Sequence, residues 1–183
     1  MISFEQPVVV FLATGTLLTE IGLLAYLILS VVKHFTDYRE TEIESLNNIL
    51  DRNYREIGLS FAAIATLGSL YLSNIMGWSP CRLCWFQRIL MYPLVLLFLI
   101  SIVLNRKKVS DYTLPLSIIG FATAVYHYLV QFLAQVQASG CSITQVSCEA
   151  KYTIYYGHIS IPLMAAAAFA AVAILSYRDF RKR

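Results

Sequence analysis

The stretch Cys81–Leu104 reads CRLCWFQRILMYPLVLLFLISIVL and places a cysteine pair directly before a long apolar segment. Between Trp85 and Leu104 the one charged residue is Arg88. Roughly 20 helical residues cross a hydrocarbon layer of about 30 Å. Backbone groups cannot be left unpaired in lipid, and the segment shows no period-two alternation of polar and apolar residues. It is therefore predicted to be a transmembrane helix.

Four further apolar stretches have the same character: Val8–Val32, Ile57–Met76, Tyr112–Val136 and Gly157–Tyr177. The 183 residues are 58% hydrophobic and 14% charged, whereas a soluble domain has about 25% charged residues. Polar surface is too scarce to coat a water-soluble globule. The sequence predicts one all-α integral membrane domain over residues 1–183.

Met1–Gln6 has no basic residue, so the first span is expected to be retained rather than cleaved as a signal peptide.

Basic residues concentrate on one side of the predicted spans. Eleven of the 14 lie after span one or before span two, between spans three and four, or after span five: Lys33, Arg39, Arg52, Arg55, Arg106, Lys107, Lys108, Arg178, Arg181, Lys182 and Arg183. The positive-inside rule makes that side cytoplasmic. The protein is thus expected to be a multi-pass cell-membrane protein whose N-terminus and four cysteines face outward.

The segment His34–Arg55 places four apolar residues at helical spacing among charges: Ile43, Leu46, Ile49 and Leu50. This pattern favours an extension of a flanking helix or a helix lying on the membrane. Docking to a cytoplasmic partner is the alternative.

The four cysteines form two local groups, Cys81 with Cys84 in a C-x-x-C pair and Cys141 with Cys148 in the second loop. Four cysteines allow three connectivities, of which two local pairs are the simplest. Ser79 and Pro80 predict a helix N-cap and first position. The positive helix end favours thiolate, the reactive form of cysteine.

Arg88 lies four residues after Cys84 and on the same helix face. A guanidinium within a span needs an anionic or dipolar partner, for which a thiolate or a quinone carbonyl oxygen would serve. From the residues alone, Arg88 could also extend to the lipid headgroups. The cysteines could also be structural staples, although a four-residue loop gives only about 2 kcal/mol. A zinc site is a further alternative, but the spacing of Cys141 and Cys148 is unusual for one.

The stretch Ser79-Pro-Cys-Arg-Leu-Cys-Trp-Phe-Gln-Arg-Ile-Leu-Met-Tyr-Pro93 resembles the DsbB family of membrane disulfide-generating oxidoreductases, above all its short BdbC-type members. Ala124-Val-Tyr-His-Tyr-Leu-Val-Gln131, the Cys141–Cys148 pair and Gly157-His-Ile-Ser-Ile-Pro162 continue the resemblance in order. It covers roughly residues 54–177. It implies a four-helix transmembrane bundle, to which residues 8–32 add one N-terminal transmembrane helix outside the family's core.

The resemblance also implies a mechanism. An extracytoplasmic thioredoxin-fold thiol oxidase (DsbA/BdbD-like) would be reoxidised through Cys141, which is paired with Cys148. Electrons would then pass to Cys81, and Cys84 would donate them to a quinone from the membrane pool, ubiquinone or menaquinone. Arg88 matches the arginine that supports the quinone and the thiolate. Neither a nucleic acid nor a metal ion is expected.

Other polar residues within the spans are weaker candidates. His127 lies at the predicted depth of Arg88 and is a candidate quinone contact, although a lone histidine on an apolar helix is more often simply packed. Gln131 and Tyr92 share helix faces with His127 and Arg88. His158 is expected at the interface. Glu20 is expected to be a protonated acid bonded to Thr16 or to a neighbouring helix, with proton uptake as the alternative.

Two other functions are compatible with a membrane protein that has two cysteine pairs. One is a redox enzyme that runs the opposite way, as vitamin K epoxide reductases do. Those enzymes place their loop cysteines before the C-x-x-C, whereas Cys81 and Cys84 come first here. The other is a non-catalytic scaffold with stapled loops.

Overall fold

The computed structural model describes residues 7–35, 40–132 and 154–182. They form six α-helices: α1 Pro7–Phe35, α2 Glu40–Arg52, α3 Tyr54–Asn74, α4 Arg82–Val103, α5 Ser110–Phe132 and α6 Ile161–Arg181. All except α2 are long and apolar enough to cross a membrane. The prediction of an all-α integral membrane protein with five spans is confirmed.

The five predicted spans start within four residues of the observed helices, and two of these differences bear on the site. Helix α4 begins at Arg82 instead of Trp85. The last helix begins at Ile161, after the predicted start at Gly157, because residues 155–159 form a tight turn. Gly157 takes a φ of +79° in that turn, a left-handed conformation that cannot continue a helix. The predicted end of the fourth span at Val136 lies outside the described residues.

Helices α3, α4, α5 and α6 form a bundle in which α5 and α6 make the most extensive contact. Glycines stand where aromatic rings approach a neighbouring backbone. A Cβ on Gly120 would lie 2.2 Å from Cε1 of the buried Phe169, and one on Gly58 would lie 2.6 Å from Cζ of Phe98. Small residues of this kind let membrane helices pack closely.

Helix α1 packs against α6 and α3, with Val9, Ala13 and Thr16 buried. Glu20 contacts His158, whose Nε2 lies 3.3 Å from Glu20 Oε2. Of the two expected kinds of partner for Glu20, Thr16 or a neighbouring helix, the structure gives a residue beside the start of α6, and the Thr16 hydroxyl donates to the carbonyl of Leu12. His158 is half-exposed beside the helix start.

A single residue, Asn53, separates α2 from α3, and α2 packs against α3 and α6. Its Asp51 binds Arg178 through two hydrogen bonds, of 2.9 and 2.8 Å, and it also binds Lys182. Burial opposes ionisation of Asp51, but the hydrogen bonds and charges of both cations outweigh it and hold its pKa below the usual value. This contact ties the end of α2 to the end of α6.

The chain leaves α3 through a left-handed residue, Gly77, whose φ is +67°. The amide of Trp78 then donates to the carbonyl of Leu72 at 3.1 Å, which ties the turn back to the end of α3. This turn directs the chain across the end of the bundle, so that Cys81 lies at the head of α4.

Candidate functional site

Cys81 is the N-cap of α4, which replaces the predicted N-cap Ser79. Its backbone is extended, with φ −73° and ψ 173°, and its Sγ accepts the amide of Cys84 at 3.4 Å. The two sulfur atoms lie 2.9 Å apart and are not joined in a disulfide bond. Cys81 is buried and Cys84 is partly exposed. The pair is therefore arranged to form and break a disulfide at the end of a membrane helix.

His127 of α5 lies beside this pair and is almost completely buried, with 2% of its surface exposed. Its Nε2 is 3.5 Å from Cys81 Sγ, and its Nδ1 is 3.0 Å from Nε2 of Gln87. With the Gln87 amide donating to Nδ1, the ring proton lies on Nε2 and points to the sulfur. His127 can therefore stabilise a negative charge on Cys81.

The environment raises the pKa of Cys81 from 9.0 to about 12. The hydrogen bond shared with Cys84 is the main cause, burial adds to it, and His127 acts in the opposite direction. The helix end was expected to favour thiolate, but at Cys81 the neighbouring sulfur and burial together favour the protonated form.

The guanidinium of Arg88 is bound to α3. Its Nε donates to Ser69 Oγ at 2.9 Å, and its Nη2 donates to the carbonyl of Ser69 at the same distance. It also lies 5.4 Å from the ring centre of Trp85. These contacts fix the side chain between α3 and α4, so the alternative of an unbound arginine extending to the headgroups is not supported.

A cavity of about 240 Å³ opens beside the cysteine pair. Cys81, Cys84, Arg88 and His127 all line it, as do Tyr92 and Gln131. The remaining walls come from α1, α3 and α6 and are mainly apolar. The structure thus brings the predicted residues of the first cysteine pair, the arginine and the histidine to a single space, as their depths in the sequence suggested.

The cavity fits the ring of a quinone. An apolar cavity of about 150 Å³ already admits benzene, and this one is larger. The hydroxyl of Tyr92 is buried there, and none of the described residues forms a hydrogen bond with it. Arg88 supplies a cation at the same wall. A carbonyl-bearing ring would meet both a hydrogen-bond donor and a positive charge.

The same residues fit a metal ion less well. Possible ligand atoms of Cys81, Cys84 and His127 lie within 4.8 Å of one another. However, two thiolates bound to one tetrahedral zinc ion stand roughly 3.8 Å apart, and these two sulfurs are at 2.9 Å. The arrangement suits disulfide exchange better. Cys141 and Cys148 lie outside the described residues.

Two polar residues at the site had no role assigned from the sequence. Gln87 immediately precedes Arg88 in the quoted motif, and the sequence signal for it is a polar amide within an apolar span. Ser69 gave no signal, because its contact with Arg88 depends on how α3 and α4 pack.

A thiol pair beside an apolar cavity, within five membrane-crossing helices, defines an integral membrane thiol redox protein. Residues 52–177 match the family described as "Disulfide bond formation protein DsbB". The chain belongs to the DsbB family, and it is a thiol–disulfide oxidoreductase of disulfide bond formation.

Individual relatives agree with this assignment. "Probable disulfide formation protein C 1" of Bacillus cereus is 42% identical over 120 residues, which cover 66% of this chain and 85% of the relative. "Disulfide bond formation protein C" of Bacillus subtilis is 42% identical over 113 residues, covering 62% and 82%. No solved structure matches the chain.

Proposed function

We propose that this protein reoxidises an extracytoplasmic, DsbA-like thioredoxin-fold partner and passes the electrons through two cysteine pairs to a membrane quinone. The observation that carries the proposal is the shared cavity, in which Cys84, Arg88 and His127 line one largely apolar space between membrane helices. A thiol pair intended only for exchange with proteins would not need an apolar chamber behind it.

The first exchanges take place between sulfur atoms. A partner thiolate attacks the Cys141–Cys148 disulfide at Cys141, and the partner's second thiolate resolves the mixed disulfide. The partner leaves oxidised, and Cys141 and Cys148 become a dithiol. Each exchange forms one S–S bond and breaks another, so one electron pair moves inward.

The reduced second pair then attacks the Cys81–Cys84 disulfide at Cys81 and releases Cys84 as a thiolate beside the cavity. Resolution of the mixed disulfide releases Cys81. The Nε2–H of His127, directed at Cys81 Sγ, stabilises that leaving sulfur until it takes up a proton. Gln87 holds the imidazole in this orientation. The raised pKa of Cys81 favours its protonation, so the electron-donating role falls to Cys84.

Arg88 and Tyr92 would hold the quinone. A bound quinone would supply the two-electron acceptor, taking up two electrons and two protons as the Cys81–Cys84 disulfide forms again. Arg88 is oriented by Ser69, so its charge stands at the cavity wall before any ligand enters. Such preorganised charge is an effective form of electrostatic stabilisation.

The test is the quinone-reduction rate of purified Arg88→Ala in a stopped-flow assay. Loss of a charged contact should lower the rate about tenfold to a hundredfold, while thiol counting still finds both disulfides. Ser69→Ala is the matched control for orientation alone and should lower the rate less. Unchanged rates in Arg88→Ala would remove Arg88 from the mechanism.

The proposal also places all four cysteines on the extracytoplasmic side. In intact cells, a membrane-impermeant maleimide should label reduced Cys84, and a cysteine introduced at Lys107 should be labelled only after permeabilisation. Labelling in the reverse order would contradict this orientation.

A further inference from the structure

The additional helix α1 contributes a continuous face to the cavity beside the cysteine pair. Phe11, Gly15 and Thr19 follow one another at intervals of four residues, and Leu12 and Thr16 lie next to them. Residues at such intervals share one helix face. The family match begins at residue 52, so this wall lies outside the part of the chain that the family describes.

Polar contacts hold α1 against α6 and the turn before it. The Thr14 hydroxyl lies 3.1 Å from the hydroxyl of Tyr156, and Glu20 contacts His158. Further along, Arg178 donates to the hydroxyl of Tyr26. Contacts at three levels along α1 orient the helix so that this face is presented to the cavity.

The chemistry of this face suits a hydrocarbon ligand. It has no charged residue, and the hydroxyls of Thr16 and Thr19 donate to the carbonyls of Leu12 and Gly15 within the helix. At Gly15 the wall is recessed, since a Cβ there would meet no other atom within 4 Å. The guanidinium and the imidazole that line the cavity, Arg88 and His127, lie on α4 and α5.

We propose that α1 is the wall against which the apolar part of the quinone binds, and that the recess at Gly15 sets the size of the acceptor that enters. This inference rests on the proposed function and adds a residue that determines specificity. The redox ring would face the cysteine pair and Arg88, and its isoprenoid substituent would lie along Phe11, Gly15 and Thr19.

Gly15→Leu tests the proposal, and Gly22→Leu is its matched control. Gly22 lies on the same helix, and a Cβ there also meets nothing within 4 Å, but Gly22 does not line the cavity. Gly15→Leu should bind short-tailed ubiquinone and menaquinone at least about tenfold more weakly than the wild type, because the new side chain occupies the recess. Gly22→Leu should bind both like the wild type. Both variants should keep the wild-type melting temperature.

Photolabelling of the wild type gives a second measurement that does not depend on a variant folding. An azido-substituted short-tailed quinone should label peptides of α1 as well as α4. If the wild type binds no quinone, the proposed function itself fails. If the wild type binds quinone but Gly15→Leu binds it equally well, or if the label is absent from α1, this inference fails and the proposed function stands.

Discussion

The clearest chemical prediction concerns the proton on Cys81 in the reduced protein. Its pKa of about 12 is caused mainly by the neighbouring sulfur of Cys84, 2.9 Å away. Cys84→Ala removes that neighbour, while burial and His127 remain. The pKa of Cys81 should therefore fall from about 12 towards 9.0. At about pH 8 a fall over that whole interval would raise the thiolate fraction by roughly a thousandfold, which is the upper limit of the effect.

The assay follows alkylation of Cys81 by iodoacetamide as a function of pH, in protein whose second-loop cysteines are both replaced by serine. Arg82 lies between the two remaining cysteines, so trypsin places them in separate peptides for mass spectrometry. The midpoint of the pH profile reports the pKa and is independent of how easily the reagent reaches the buried sulfur. The intact pair should show alkylation of Cys81 that is still rising above about pH 10, and Cys84→Ala should show a lower midpoint.

His127 provides the control for direction. Because it lowers the pKa of Cys81, adding His127→Ala to Cys84→Ala should move the midpoint upward again. The geometry indicates that the two sulfurs share a proton. An alkylation midpoint for Cys81 near 9 in the intact pair, or a midpoint that does not fall in Cys84→Ala, would contradict this.

Two further predictions concern stability in detergent. Gly120→Ala should lower the free energy of unfolding by about 1–3 kcal/mol, because its Cβ would overlap the buried ring of Phe169. Gly22→Ala is the control, and an equal melting temperature for the two variants would contradict the packing of α5 on α6. Asp51→Asn should cost about 1–3 kcal/mol near pH 7, because it leaves Arg178 without its carboxylate. A carboxyl with a lowered pKa stabilises the fold above its ordinary value of 3.8 and loses that effect as the pH falls through its folded value. The difference in melting temperature between wild type and Asp51→Asn should thus close in acid, and a difference that persists there would exclude the ion pair as its source.

The helices could be predicted because lipid imposes a simple requirement on the chain. Every span must be long, apolar and hydrogen-bonded within itself, so the apolar run of α4 can be located from composition alone. The start of α6 could not be located in this way. Residues near Gly157 are apolar enough for a span, but a left-handed backbone and a bridge from Tyr155 to Ile159 delay the helix.

The part of the site that lies along one helix could be predicted from residue spacing. Cys81, Cys84 and Arg88 share a face of α4, and their spacing of three and four residues predicts this. The partners of these residues depend on packing between helices. The contacts of Arg88 with Ser69 and of His127 with Gln87 need the positions of α3 and α5, which no single-helix pattern contains. The role of α1 as a cavity wall also depends on packing between helices, so it could not be predicted from the sequence of α1.

Because Cys81 Sγ accepts the amide of Cys84 in the first turn of α4, the reactive sulfur is also the cap of the helix. Removing this atom therefore does two things at once: it stops the chemistry, and it leaves a backbone donor unsatisfied. Serine keeps an acceptor at the same position and is among the best residues for it, whereas alanine offers none. An inactive protein with an intact scaffold is accordingly expected from Cys81→Ser, and Cys81→Ala would confuse loss of function with unravelling of the first helical turn.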